Sequence, residues 1–403
     1  MPGFELFGAE ERKEVNDVLE TGILMRYGFD AQRNGIWKAK ELEEEIRKTF
    51  GTPHAQLVSS GTAALTIAMA ALGIGAGDEI IMPTFTFVAS FEAVISVGAI
   101  PVLVDIDETL TLDPKAVEEA ITPRTKAVMP VHMCGSMAQL DELKAICDKH
   151  NLILLEDACQ AIGAKYKGRY VGSIGQAGTF SFDFVKIITC AEGGAILTNS
   201  HEVYQKADQF SDHGHDHLGK DRGADLHQYL GYNYRISELH AAVGLAQIKK
   251  LDKFLEIQKR NNRLLREAVQ GVPGLTFRVI PDPSGDTGSF LSFFLPTEDM
   301  ARTAATALQA EGLGGMYWYD NNWHYIRKWQ HLQNGAFMNR LPEEQRKQAM
   351  HYSNLAFPAS DAIISRCIST PISLLWSEEQ AKERGAKMTA VLKSVVEKNV
   401  VNI

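Results

Sequence analysis

Between about residue 57 and residue 157 the chain repeats one unit, a helical stretch followed by a short apolar run. Ala63–Leu72, Val88–Val97, Pro114–Ile121 and Leu140–His150 lead in turn to Glu79–Pro83, Pro101–Asp105, Lys126–Val131 and Leu152–Asp157. Short apolar runs separated by helices are the pattern of a mainly parallel sheet, whose strands are buried because helices cover both faces. This alternation restricts the chain to an α/β architecture.

The flanks fit around that core. Residues 8–20 and 40–50 read as helices, and in the second Leu42, Ile46 and Phe50 fall on one face. Between them the irregular segment Met25–Gly35 carries Arg26 and Arg33. After Asn199 come a helix, a polar loop (Ser211–Gln228) and one long helix from Ser237 to about Val269. Leu275–Ile280 and Ser289–Leu295 then read as strands, and Met300–Glu311 as a helix. Ser377-Glu-Glu-Gln380 is a capping box that opens the last helix. The expected division is a large mainly parallel-sheet domain with an N-terminal segment, 1–269, and a small C-terminal α+β domain, 270–403. The 403 residues suffice for both.

Charge and cysteine usage narrow the function classes. A net charge of −9 argues against a general attraction to nucleic acid or to anionic membranes. The five scattered cysteines form no C-x-x-C, which suggests free thiols in a reducing compartment. The N-terminus lacks the basic and apolar regions of a signal peptide, and no apolar run approaches a membrane span. A cytoplasmic protein is expected.

Ligands of an open α/β sheet gather at the carboxyl ends of its strands, and four features read as lying there. Ser59-Ser-Gly-Thr62 opens a helix, and offers either a phosphate cradle of backbone N–H groups or a plain N-cap. Asp157 ends a very apolar strand, as a buried acceptor or as the partner of a ligand cation. Phe87 is either a core aromatic or a ring that stacks on a flat ligand. Lys186 lies between two β-rich runs, with Gly193 and Gly194 following. Such a lysine is a solvated surface charge or a nucleophile toward a carbonyl. Together, a phosphate cradle, an aromatic ring, an aspartate and a lysine meet the needs of pyridoxal 5'-phosphate (PLP).

Five blocks carry a resemblance over nearly the whole chain. Ser60-Gly-Thr-Ala-Ala-Leu65, Pro83-Thr-Phe-Thr-Phe-Val-Ala-Ser90, Glu156-Asp-Ala-Cys-Gln-Ala-Ile-Gly163, Phe180-Ser-Phe with Lys186 and Glu192-Gly-Gly194, and Gly231-Tyr-Asn-Tyr-Arg235 occur in that order. In these the chain resembles the DegT/DnrJ family of sugar aminotransferases. The resemblance implies PLP-dependent transferase fold type I, like aspartate aminotransferase. It also implies PLP as cofactor, glutamate as amino donor, a small sugar as acceptor, and a homodimer with shared active sites. Lys186 would hold PLP covalently and Asp157 would pair with the ring nitrogen. Gln160 would lie near the ring hydroxyl or face, and Phe87 would stack on the ring. Gly61, Thr62 and Ser181 would bind the phosphate, which Asn233 would reach from the neighbouring subunit. Dehydratase relatives carry His at the lysine position, so Lys186 favours transamination.

Substrate contacts stay open. Arg26, Arg33, Lys220 and Arg222 are carboxylate binders or solvated charges. Trp323 and His324, in the aromatic segment Met316–Tyr325, face a sugar or form a small-domain cluster. His213-Gly-His-Asp-His217 has metal-like spacing but no second cluster, so no metal is expected and a loop near the active site is the reading taken. The acceptor is a free acid sugar or a nucleotide-linked keto sugar. A non-catalytic PLP-binding regulator is a third reading, disfavoured by the acidic charge and the lack of spare residues.

Overall fold

The computed structural model describes residues 3–219, 223–334, 336–338, 340–349, 352 and 355–400. At its centre lies a seven-stranded sheet. Its order is His54–Val58, Gly194–Thr198, Ala177–Ser181, Ile153–Asp157, Thr125–Val128, Glu79–Pro83, Ile100–Val104. Gly194–Thr198 runs antiparallel to both neighbours, and the remaining pairs are parallel. Six strands therefore end on one edge, where Gly194–Thr198 begins.

Side chains alternate across the pleat. Ile80, Leu155 and Ile196 enter one core, while their neighbours Ile81, Leu154 and Leu197 enter another on the opposite face. All six are buried, and each such side chain is worth about 1.5–3 kcal/mol. The helix Lys38–Phe50 adds Leu42, Ile46 and Phe50 to the second core, on the face that its periodicity indicates. The mainly parallel sheet covered on both faces is thus the one the strand–helix alternation requires.

A second sheet, fully antiparallel, is ordered Thr276–Phe277, Phe290–Phe294, Cys367–Pro371, Met316–Tyr317. Its helices Glu298–Ala310 and Glu378–Val400 pack on each other, and Leu251–Val269 packs on the latter. The capping box at Ser377 is formed. The Ser377 N–H donates to Gln380 Oε1 at 2.9 Å, and the Gln380 N–H to Ser377 Oγ at 3.3 Å.

Two sequence expectations need correction. The long helix from Ser237 is two helices, Glu238–Ile248 and Leu251–Val269. At the break the Lys250 ammonium turns to Glu11 Oε1 at 2.7 Å and to the Leu6 carbonyl at 3.2 Å, a tether that hydropathy does not register. The strand expected over Leu275–Ile280 is only Thr276–Phe277. Beyond it the buried Arg278 donates to the carbonyls of Thr109 (2.6 Å) and Met133 (2.7 Å), and the backbone leaves the ladder to pair with Glu108.

One connection joins the C-terminal segment to this edge of the sheet. The Thr86 N–H donates to the His324 carbonyl at 3.0 Å and the Val88 N–H to the Trp323 carbonyl at 2.8 Å, with a bridge between Phe85 and Tyr325. These bonds lay the C-terminal segment over the turn that follows Glu79–Pro83.

Candidate active site

Asp157 terminates its strand with the backbone pinned on both sides. Its N–H donates to the Pro130 carbonyl at 3.0 Å, and its carbonyl accepts from the His132 N–H at 2.9 Å. The carboxylate is 3% exposed and receives two donors, Ser90 Oγ at Oδ2 (2.7 Å) and the Cys159 N–H at Oδ1 (3.1 Å). The preceding Glu156 points to the opposite side of the strand. It accepts from the N–H groups of Gly172 (2.8 Å), Ile174 (2.7 Å) and Gly175 (2.7 Å), and from His132 Nε2 at 3.1 Å. Burial opposes its charge, yet these bonds, that from His132 foremost, hold its carboxyl below the usual carboxylate range. Glu156 therefore anchors the strand end that presents Asp157.

Lys186 lies in the turn after Ala177–Ser181. Its N–H donates to the Asp183 carbonyl and its carbonyl accepts from the Gly3 N–H, each at 3.0 Å. Its Nζ is 5.9 Å from the centroid of the Phe87 ring. Cys159 lies within the electrostatic reach of both Asp157 and Lys186. Burial first, then the charge of Asp157, push its thiol well above the ordinary range, so it stays protonated.

Ser60 caps the helix Gly61–Ala71, its Oγ accepting from the Ala63 N–H at 3.0 Å. The plain N-cap reading thus holds for Ser60, while helix geometry leaves the N–H groups of Gly61 and Thr62 without intrahelical partners. Only glycine fits at 61. A Cβ there would stand 2.7 Å from Ser181 Cβ, 3.0 Å from Ser181 Oγ and 3.2 Å from Cys159 Sγ. Gly61, Ser181 and Cys159 therefore meet at one point of the edge. Gly194 closes on the same turn, where a Cβ would come 2.3 Å from the Ser60 carbonyl oxygen. Gln160 is buried nearby, with Oε1 accepting from the Cys134 N–H at 3.2 Å.

Trp323 and His324 arrive with the C-terminal segment. Trp323 stacks on Phe87 with centroids 5.7 Å apart and planes 9° apart, yet remains 60% exposed. His324 tilts against Phe87 at 5.3 Å. Its Nδ1 donates to Asn321 Oδ1 at 2.9 Å, an oxygen that only accepts, so Nε2 presents a lone pair. Burial, and then the charge of Lys186, push His324 down to about 3, which keeps it neutral.

Arg26 is not brought to this group. It is buried in an ion pair with Glu43 and lines a separate cavity of about 990 Å³ with Tyr27, Trp37, His54, Tyr204 and Asp208. Arg33 pairs with Glu238 at 3.6 Å. Lys220 and Arg222 lie outside the described residues. Asn233 bridges Asp212, and its exposed side chain accepts from the Arg235 N–H at 3.4 Å. The next residue, Tyr234, ties this loop to the Gly61 turn, its carbonyl accepting from the Ser59 N–H at 2.8 Å.

The histidine loop has a different occupation from metal binding. His217 donates through Nδ1 to Asp208 Oδ2 (2.7 Å) and through Nε2 to Asp212 Oδ2 (3.0 Å), and it stacks on Tyr27 at 4.0 Å. With both nitrogens donating it has no lone pair for a metal. Among the described residues no cluster of three or more His, Cys, Asp or Glu could hold one. Burial works against its charge, but the bonds to Asp208 and Asp212 outweigh it and push His217 up to about 9 from 6.5. A raised folded-state value stabilises fully below the unfolded value and is lost as pH rises through the folded one. The melting temperature is thus expected to fall between pH 7 and 9.5, and His217→Gln to be lower at pH 7 with a flatter profile. Parallel profiles in a thermal-denaturation series would remove the charge from this role.

A lysine amine, an aspartate at a strand end, an aromatic ring and a glycine-tight helix start on one sheet edge define the class of fold type I PLP proteins. The chain belongs to the DegT/DnrJ/EryC1/StrS aminotransferase family, whose model matches residues 6–389. It is 42% identical over 277 residues to the L-glutamine:2-deoxy-scyllo-inosose aminotransferase of Streptoalloteichus tenebrarius, a match that covers 65% of each chain. It is similar in structure to 3-amino-5-hydroxybenzoic acid (AHBA) synthase, at 30% identity and TM-score 0.81, with 97% of each chain covered. It is also similar to NtdA from Bacillus subtilis with bound cofactor PMP, at 26% identity and TM-score 0.78, covering 97% of this chain and 84% of that one.

PLP is the family's cofactor, and the residues of this edge fit it. The cradle at Gly61 is closed to any side chain, the N–H groups beside it lack intrahelical partners, and Asp157 is oriented by two donors. Ser90, Cys159 and the Glu156–His132 pair were not singled out by sequence. For Ser90 a signal existed: it lies three residues after Phe87, one helical turn along the same face.

Proposed function

We propose that this protein is a PLP-dependent sugar aminotransferase that transfers an amino group from glutamate to an aldehyde or keto sugar. The observation that carries the reading is the Lys186 amine 5.9 Å from the Phe87 ring, on the edge where Asp157 ends its strand. In this reading Lys186 holds the cofactor covalently and, once released, moves a proton between substrate carbon and cofactor. Asp157 pairs with the ring nitrogen, Phe87 stacks on the ring, and Gln160 lies near its hydroxyl or face. Gly61, Thr62 and Ser181 hold the phosphate, with Asn233 reaching it across a homodimer interface. PLP, when bound, supplies the electron sink. The neutral His324 offers a hydrogen-bond acceptor to a sugar hydroxyl, and the exposed Trp323 a flat wall for a sugar ring. The proposed domain division at 269/270 sets these last two on the C-terminal unit.

The acceptor we infer is 3,8-dideoxy-8-oxo-manno-octulosonate, giving the 8-amino sugar for lipopolysaccharide in the cytoplasm. Met1–Gly8, Val131–Met137, Phe210–His217 and Asn321–Tyr325 resemble 8-amino-3,8-dideoxy-manno-octulosonate transaminase. The relative named above carries L-glutamine in its name, so the donor is tested with both amino acids. Purified protein is expected to show a visible band from PLP that bleaches on addition of glutamate. A band that ignores glutamate but responds to glutamine overturns the donor, and no band after PLP is added overturns the class. Turnover of a nucleotide-linked keto sugar in place of the acid sugar would move the acceptor to that alternative.

A further inference from the structure

We propose that Ser90 is a positioning residue for Asp157, in a hydroxyl chain that sets how the aspartate shares a proton with the cofactor's ring nitrogen. This rests on the reading of Asp157 given above. The Ser90 hydroxyl is 2% exposed and donates its single proton to Asp157 Oδ2 at 2.7 Å. Thr86 Oγ1 lies 2.7 Å from Ser90 Oγ. With the Ser90 proton committed to Asp157, the bond between the two hydroxyls must run from Thr86 to Ser90. The order is therefore Thr86 to Ser90 to Asp157, with the three groups buried together and shielded from competing water.

The placement has a second consequence. Ser90 stands on the first turn of the helix Val88–Ser96, whose N-cap is Phe87. Thr86 and Val88, on either side of Phe87, are the residues whose N–H groups bind the carbonyls of His324 and Trp323. One turn of backbone thus fixes the aromatic ring, the orientation of the aspartate and the seat of the C-terminal segment. Had Ser90 been a hydroxyl that only satisfies its own helix, its proton would go to a backbone carbonyl, as that of Ser96 does to Ala93 at 2.7 Å. It goes to the carboxylate instead.

Removing the donor leaves the charge of Asp157 less shared, so the proton between aspartate and ring nitrogen moves toward the aspartate. The ring then withdraws electrons less well. Ser90→Ala is expected to lower kcat about tenfold with KM for glutamate nearly unchanged, the size of one charge-assisted hydrogen bond. It is also expected to raise, by about half a unit or more, the pH at which the visible band of the bound cofactor titrates. Thr86→Val keeps Ser90 in place and should shift the same midpoint in the same direction by less. Alanine suits a helix better than serine, which offsets part of the stability lost with the hydrogen bond. A titration midpoint identical to wild type in both variants overturns the proposal, even if the melting temperature falls, because a merely structural hydroxyl would lower stability alone. A wild-type protein without any visible band would instead overturn the functional reading and leave the hydroxyl chain as geometry.

Discussion

Lys186→Ala is expected to lose more than about 10³-fold in kcat, because in the proposed reading one residue supplies both the covalent hold and the proton transfer. The backbone around the lysine does not depend on its side chain. The turn is closed by the bond from the Lys186 N–H to Asp183, and the carbonyl is held by the Gly3 N–H, both at 3.0 Å and both retained in the alanine variant. Among the described residues the amine makes no ion pair that truncation would break, and its side chain is only half-buried. The variant should therefore fold, melt close to wild type, and bind cofactor without the covalent link. Two measurements check this. Steady-state assays with glutamate give kcat. Borohydride reduction followed by peptide mass analysis should leave the cofactor on the peptide that contains Lys186 in wild type, and on no peptide in the variant. Full activity in Lys186→Ala, or a label on another lysine, would sink the assignment.

The sheet was legible because burial on both faces writes a continuous apolar signature, and Ile80–Ile81, Leu154–Leu155 and Ile196–Leu197 carry it. The positions of the candidate-site residues were legible for a related reason. Asp157, Phe87 and Gly61 sit where strands end, and a strand end is easily found once the strand is. What sequence left open were contacts between distant segments. Nothing near Arg26 announces that Glu43, on the next helix, takes its guanidinium into an ion pair away from Lys186. The break before Leu251 depends on Lys250 reaching Glu11, 239 positions earlier. The spacing of His213-Gly-His-Asp-His217 suggested ligands, and only the fold brings Asp208 and Asp212 to both nitrogens of His217. The pairing of 323–325 with 84–88 is also nonlocal, and it is what brings an aromatic-rich segment against Phe87.

Asp157→Asn separates charge from shape at the other end of the site. The amide is nearly isosteric with the carboxylate, and its surroundings can adapt to it. Its oxygen can keep the bond from the Cys159 N–H, now 3.1 Å from Oδ1. Its NH₂ would then face Ser90 Oγ, which can accept if its own proton turns to Thr86 Oγ1 at 2.7 Å. Thr86 has an outlet of its own in the Phe87 carbonyl at 3.3 Å. The hydroxyl chain reverses without an orphaned buried group, so the cost in stability should stay below about 1.5 kcal/mol. Catalysis has no such alternative, because a neutral amide does not hold a proton on the ring nitrogen, and electrostatic stabilisation of this kind is worth about 10²-fold or more. The expected result is a fall of that size in kcat, with a melting temperature near wild type and a bound cofactor whose visible band titrates at higher pH. Asp157→Ala should add a loss of stability, since it strands the two donors that the asparagine still satisfies. Retention of wild-type kcat in the asparagine variant would mean that Asp157 is a structural acceptor at the end of its strand and that the ring nitrogen finds its partner elsewhere.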